Sequence, residues 1–234
     1  MRASKRLVVS AVNLVEGGTL AVLQRFLRSA RAELGAEWEI VALVHKVALV
    51  QIPGVQALAF PGIKASWLRR IWFEYWQCRK LSQSLRADLW MAMHDITPRV
   101  MARRQAVYCH NPSPFYPVSA REALFDWKLL AFQRLYDAMY RINIHRNDAV
   151  VVQQQWLREE FRRRYGAKRV VVARPVAPGD QIHATRRFDR GSVFLYPALP
   201  RPFKNFELVC RAARPGRAAA GPAVRRGRGL RWTE

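Results

Sequence analysis

Apolar and polar positions along this chain switch between two periods, and each switch marks an element. Residues 6–12 (RLVVSAV) are a short β-branched run that predicts a strand, and Asn13–Gly18 reads as a loop. Residues 19–34 predict a helix, because Leu20, Leu23, Leu27 and Leu34 recur at spacings of three, four and seven, with Thr19 placed to cap its start. Glu39–Val44 predicts the next strand, and Pro53, Gly54, Pro61 and Gly62 punctuate the loops after it. Residues 66–86 predict a helix capped by Ser66, with Leu68, Ile71, Tyr75, Cys78, Leu81 and Leu85 as its apolar face. Trp72 and Trp76 lie beside that face among Arg69, Arg79 and Lys80.

Leu89–Met93 and Gln105–Cys109 read as buried strands. Each delivers polar residues at its C-terminal end, His94-Asp95 and His110-Asn111. Residues 121–145 predict a long helix with Phe125, Leu129, Phe132, Tyr136 and Met139 on one face. Asp148–Val152 is a strand. Trp156–Tyr165 is a helix supported by Glu159–Arg163 and Glu160–Arg164 pairs and stopped by Gly166, and Val170–Ala173 is a strand again. Alternating strand and helix predict an α/β fold with a doubly wound, mostly parallel, Rossmann-like sheet over residues 1–173. Residues 174–191 lose all periodicity and read as a linker. A second domain starts at 192–210 with a strand Ser192–Pro197 and a helix from Phe206, and residues 211–234, rich in Arg, Ala, Gly and Pro, are expected to be disordered.

Composition narrows the function classes. With 234 residues, half of them apolar, the chain can bury one substantial core. No apolar run approaches a membrane span and residues 1–10 do not read as a signal segment, so a cytoplasmic location is expected. Cys78, Cys109 and Cys210 are far apart and odd in number, which predicts buried thiols rather than a disulfide framework or a zinc site. The excess of 40 Lys and Arg over 17 Asp and Glu gives a net charge of +23 and calls for phosphates or an anionic membrane surface as partner. Trp72 and Trp76 among cations suit peripheral contact with the inner face of the plasma membrane or with a lipid-linked acceptor.

Three segments carry a resemblance: Gly17-Gly18 after the first strand, YCHNP at 108–112, and FLYPALPRPFKNFELV at 194–209. Through them the chain resembles the retaining, GT-B-fold glycosyltransferases of the "group 1" family, which make bacterial polysaccharides and lipid-linked glycans. The resemblance implies transfer of a hexose from a nucleotide-diphosphate sugar to a glycan or lipid-linked acceptor, with no metal and no cofactor beyond the donor. It also implies two facing Rossmann-like domains, with the N-terminal one on the acceptor side. His110 would stand beside the reacting sugar, positioning it rather than attacking it. Gly17 and Gly18 would bring backbone N–H groups to the phosphate or sugar, and Arg201 and Lys204 would neutralise the diphosphate. Fixed cations suit that task because a departing diphosphate gains negative charge in the transition state.

The family's pair of glutamates seven residues apart, which hold the donor, has no counterpart here, and the resemblance covers about residues 5–210. The remaining tail reads as out-of-frame translation of a GC-rich gene, so this chain alone is expected to show no transfer. Two rival readings stay open: a basic nucleic-acid-binding protein, against which the spread of cations over several helices counts, and a non-catalytic remnant that binds a membrane or a partner.

Overall fold

The computed structural model describes residues 4–119, 123–124, 126–175, 196 and 206–213. The chain divides into two units, Met1–Val176 and Ala177–Glu234. Seven parallel strands build the first: β1 (Lys5–Ser10), β2 (Trp38–Val44), β3 (Val55–Ala59), β4 (Leu89–Ala92), β5 (Arg104–Cys109), β6 (Ala149–Val152) and β7 (Val170–Val172), in the order β3-β2-β1-β4-β5-β6-β7. The sheet is thus wholly parallel. The helices are α1 (Gly17–Glu33), α2 (Trp67–Trp72), a π-helical turn at Phe73–Gln77, α3 (Cys78–Ser84), α4 (Trp127–Arg141) and α5 (Gln155–Tyr165).

Side chains on successive strand residues leave opposite faces of the sheet, and both faces are buried. Leu7, Val9, Ile40, Ala42 and Met91 join Leu23 and Leu27 of α1 in one core. Val8, Val41, Leu43, Trp90 and Val107 face the other way, towards Phe73, Tyr136, Tyr140, Leu157 and Phe161. The doubly wound expectation follows directly from these two cores. Aromatic rings dominate the second: Tyr140 and Phe161 meet edge to face at 4.9 Å and Phe115 and Phe161 are tilted at 5.7 Å, so the rings contribute both area and ring–ring contact. At the opposite end of the sheet, Asp88 and Asp148 accept from the backbone N–H of Arg6 and Gln105, both at 2.9 Å, which locks neighbouring strands in register.

Several expectations need correction. Val55–Ala59, expected as loop, pairs with β2 as the edge strand. The helix expected over 66–86 starts under its Ser66 cap, whose hydroxyl accepts from Arg69 N at 3.2 Å, but a π-turn interrupts it. The extra residue in that turn rotates the buried face, so Arg70, Phe73, Glu74, Cys78 and Ser82 point inward while Leu68 is 80 % exposed. The expected helix over 121–145 has its regular part at Trp127–Arg141, begun by Asp126, whose carboxyl accepts from Leu129 N. It buries Gln133, Tyr136, Met139 and Tyr140 rather than Phe132. Phe125 lies outside the described residues.

Arg163 turns to Glu160 rather than to Glu159, beside the expected Arg164. Gly166 stops α5 as expected, in the left-handed conformation at φ 62°. Cys78 and Cys109 are buried thiols, but Cys210 is exposed. Among the described residues no helix is long and apolar enough to cross a membrane.

In the second unit, α6 (Phe206–Ala212) begins where a helix was expected, with the rings of Tyr196 and Phe206 at 5.1 Å. The expected strand Ser192–Pro197, apart from Tyr196, and residues 214–234 lie outside the described residues, as do Arg201 and Lys204.

Candidate functional site

The strand order reverses between β1 and β4: β2 and β3 lie to one side of β1, and β4 to β7 to the other. In parallel sheets such a reversal opens a crevice at the C-terminal strand ends, because the connections leave in opposite directions. Four chain segments meet there. After β1 the loop turns into α1 at Gly17, whose φ of 61° is left-handed. Glu16 precedes the helix without a side-chain cap, and the Thr19 hydroxyl donates to the Glu16 carbonyl at 3.0 Å instead of capping as expected. The first-turn amides at Gly17 and Gly18 therefore point out of the positive end of a 17-residue helix.

A pocket opens against that turn, lined by Leu14, Gly18, Thr19 and Val22 on one side and by Met93, Tyr108, His110 and Gln153 on the other. The fold thus brings together Gly18 and His110, two residues singled out from separate parts of the sequence. Gly17 sits next to Gly18 at the helix start. The ring of His110 is 5.9 Å from that of Tyr108, and Gln153 Nε2 donates to the Tyr108 hydroxyl at 2.8 Å.

Asp95 holds the His110 side of the pocket. It is buried with a left-handed φ of 73°, and its Oδ1 accepts from the backbone N–H of His110 at 2.7 Å and of Asn111 at 3.0 Å. The same oxygen lies 3.5 Å from His110 Nδ1. The single hydroxyl proton of Tyr140 lies between Asp95 Oδ1 and the Asn111 carbonyl, both at 3.0 Å. Burial first, and then the charge of Asp95, push the Tyr140 phenol well up, so it stays a donor. Asp95 thereby ties the ends of β4 and β5 to α4.

Behind this wall, Ser10, Arg70, Glu74 and His94 form a buried polar cluster. Ser10 Oγ is 3.3 Å from His94 Nε2, and Glu74 Oε1 is 3.2 Å from His94 Nδ1, although that last approach lacks hydrogen-bond geometry. Arg70 Nη2 donates to the His94 carbonyl at 2.6 Å. Burial pushes Glu74 up to about 8 against the pull of Arg70, and it pushes His94 well down, helped by the Arg70 charge. Both effects favour a neutral carboxylic acid beside a neutral imidazole.

Hydrophobic periodicity could not find Arg70 or Glu74, since the π-turn hides their face. Tyr108 and Gln153 had one signal, their position at strand ends. Among the described residues, no group of three or more His, Cys, Asp and Glu side chains is placed to hold a metal ion.

No protein-family model and no curated protein sequence matches this chain. The functional reading therefore rests on the geometry and on the residue types themselves.

The two glycines make different demands. A Cβ at Gly18 meets nothing within 4 Å, whereas Gly17 needs a positive φ. Gly17→Ala is expected to cost about 1 kcal/mol and lower the melting temperature by roughly 2–4 °C, while Gly18→Ala leaves it unchanged or slightly raised. Thermal denaturation of the two variants checks this, and equal losses would contradict it.

Proposed function

We propose that this chain is the acceptor-side part of a retaining hexosyltransferase, which moves a hexose from a nucleotide-diphosphate sugar to a glycan or lipid-linked acceptor. The observation that carries the reading is the convergence of Gly18 and His110 in one pocket at the reversal of strand order. In the reaction, the bond between the anomeric carbon and the diphosphate oxygen breaks and the diphosphate leaves with the electron pair. The acceptor hydroxyl oxygen then forms the new glycosidic bond to the anomeric carbon, and its proton passes to the departing diphosphate. The amides of Gly17 and Gly18 meet the sugar or its phosphate at a helix start that favours anions. His110 orients the hexose, held from behind by Asp95. Arg201 and Lys204 are proposed to neutralise the diphosphate, the task a metal performs in other transferases.

Calorimetric titration with uridine, guanosine and adenosine diphosphates and with their hexose esters tests the reading. For one base, the hexose ester is expected to bind more tightly than the bare diphosphate, and His110→Ala removes that increment while leaving the diphosphate's own heat intact. No hexose-dependent increment with any base would sink the assignment.

One observation favours a second reading, contact with an anionic membrane: Leu68, Trp72 and Trp76 recur every four residues and are 80, 52 and 60 % exposed.

A further inference from the structure

Arg70 is a buried cation held by neutral acceptors. It is 8 % exposed, and its guanidinium lies 5.0 Å from the Trp67 ring centre. Nη2 donates to the His94 carbonyl at 2.6 Å and Nη1 approaches the Tyr136 hydroxyl at 3.5 Å. With the Asn13 amide turned so that its oxygen faces the guanidinium, Nε and Nη1 donate to it at 2.8 and 3.3 Å. Glu74, one turn further along, faces His94 instead. Among the described residues, none of the ion pairs includes Arg70. Glu74 is close enough to feel the Arg70 charge, but burial holds its carboxyl towards the neutral form, so the buried guanidinium is only partly compensated from within the fold, which points to an anion supplied from outside.

The place for that anion is open. Arg70 borders a depression of about 520 Å³, mouth included, whose other lining residues are Asn13, Ile63, Lys64, Ser66 and Trp67. Two cations, an amide and a hydroxyl line it, and among the described residues no acidic side chain does. The acid nearest Lys64 is the exposed Glu16, at 3.7 Å. An arginine and a lysine that line one depression are residue types suited to a tetrahedral phosphate. Asn13 belongs to the loop that leads into α1 at Gly17, so this depression and the sugar pocket flank the same loop.

We infer that the depression bounded by Asn13, Lys64 and Arg70 binds a phosphate group carried by the acceptor. Naming the acceptor as carrier rests on the proposed transfer reading; the phosphate site itself does not. The phosphate comes either from a lipid headgroup, for which the exposed Leu68 and Trp72 supply apolar neighbours on the same helical run, or from a soluble phosphorylated sugar.

The test uses the intact, isotope-labelled chain titrated with inorganic phosphate, following the Arg70 Nε–H and Asn13 side-chain amide resonances. Saturable shifts at both are expected. Lys64→Glu, at a half-exposed position, weakens them at least tenfold, and Lys64→Gln, which adds no negative charge beside Glu16, weakens them in the same direction. Absent shifts, or an affinity that Lys64→Glu does not change, overturn the inference.

Vesicles then separate the sources. Sedimentation with phosphatidylcholine vesicles containing phosphatidic acid, lost in Lys64→Glu and competed by inorganic phosphate, identifies the lipid. Phosphate shifts without sedimentation identify the soluble source. Sedimentation that Lys64→Glu leaves intact, with no phosphate shifts, reports only the overall positive charge and also overturns the inference. Failure of the transfer reading shows elsewhere, at Gly18 and His110 with nucleotide sugars.

Discussion

Asp95→Ala is expected to lower the melting temperature by roughly 10 °C, the largest loss among single substitutions around the site. One carboxyl oxygen accepts from the backbone N–H of His110 and Asn111 and from Tyr140, all of them buried or partly buried. Removing it strands the two backbone donors and leaves Tyr140 only the Asn111 carbonyl, and losses of about 3–5 kcal/mol are usual when a buried charged partner is deleted. The positive φ at position 95 adds to the cost, because alanine tolerates it less well than aspartate. Asp95→Asn keeps an acceptor oxygen and a residue type that enters the left-handed region, so it is expected to lose less than half as much. Differential scanning of the two variants decides; an alanine variant that melts with the parent would show that Asp95 does not hold the strand ends.

The second large effect depends on pH. Glu74 titrates at about 8 in the fold against an ordinary 4.5. Its contribution to stability is complete below pH 4.5 and is lost as pH rises towards 8, because the unfolded chain releases this proton first. His94 acts with the opposite sign. Burial pushes it well below 6.5, so the unfolded chain gains a proton that the fold refuses, and stability falls as pH drops below 6.5.

Just below pH 6.5 the two groups oppose one another, and between pH 6.5 and 8 Glu74 acts alone and removes about 2 kcal/mol. Glu74→Gln, a neutral residue of the same shape, is expected to abolish that decline. Urea unfolding at pH 5.5, 6.5 and 8 measures it. A difference between variant and parent that is the same at all three values would contradict the account.

Arg70, Glu74 and the long-range role of Asp95 also mark where sequence reasoning stops. Apart from Val55–Ala59, the strands, their parallel arrangement, the placement of His110 at a strand end and that of Gly18 at a helix start were legible, because buried strands and glycine turns leave local patterns. Val55–Ala59 was not: it is a half-exposed edge strand without a continuous apolar run. Arg70 and Glu74 were hidden because counting at a uniform helical period carries Leu68 inward, while the π-turn at Phe73–Gln77 turns two charged residues to the interior. In the sequence Asp95 reads only as a polar residue at the C-terminal end of a strand. Its bond to Tyr140 spans 45 residues, and no local pattern records such a contact.

Locating the hexose is the most direct test of the central claim that the pocket between Gly18 and His110 receives the transferred sugar. Chemical-shift mapping of the intact chain with hexose-bearing uridine, guanosine and adenosine diphosphates at millimolar concentration reads it residue by residue. Saturable shifts at the Gly17 and Gly18 amides and the His110 ring, stronger with the hexose than with the bare diphosphate, are the predicted result. Shifts confined to other surfaces, or identical with and without the hexose, would contradict it.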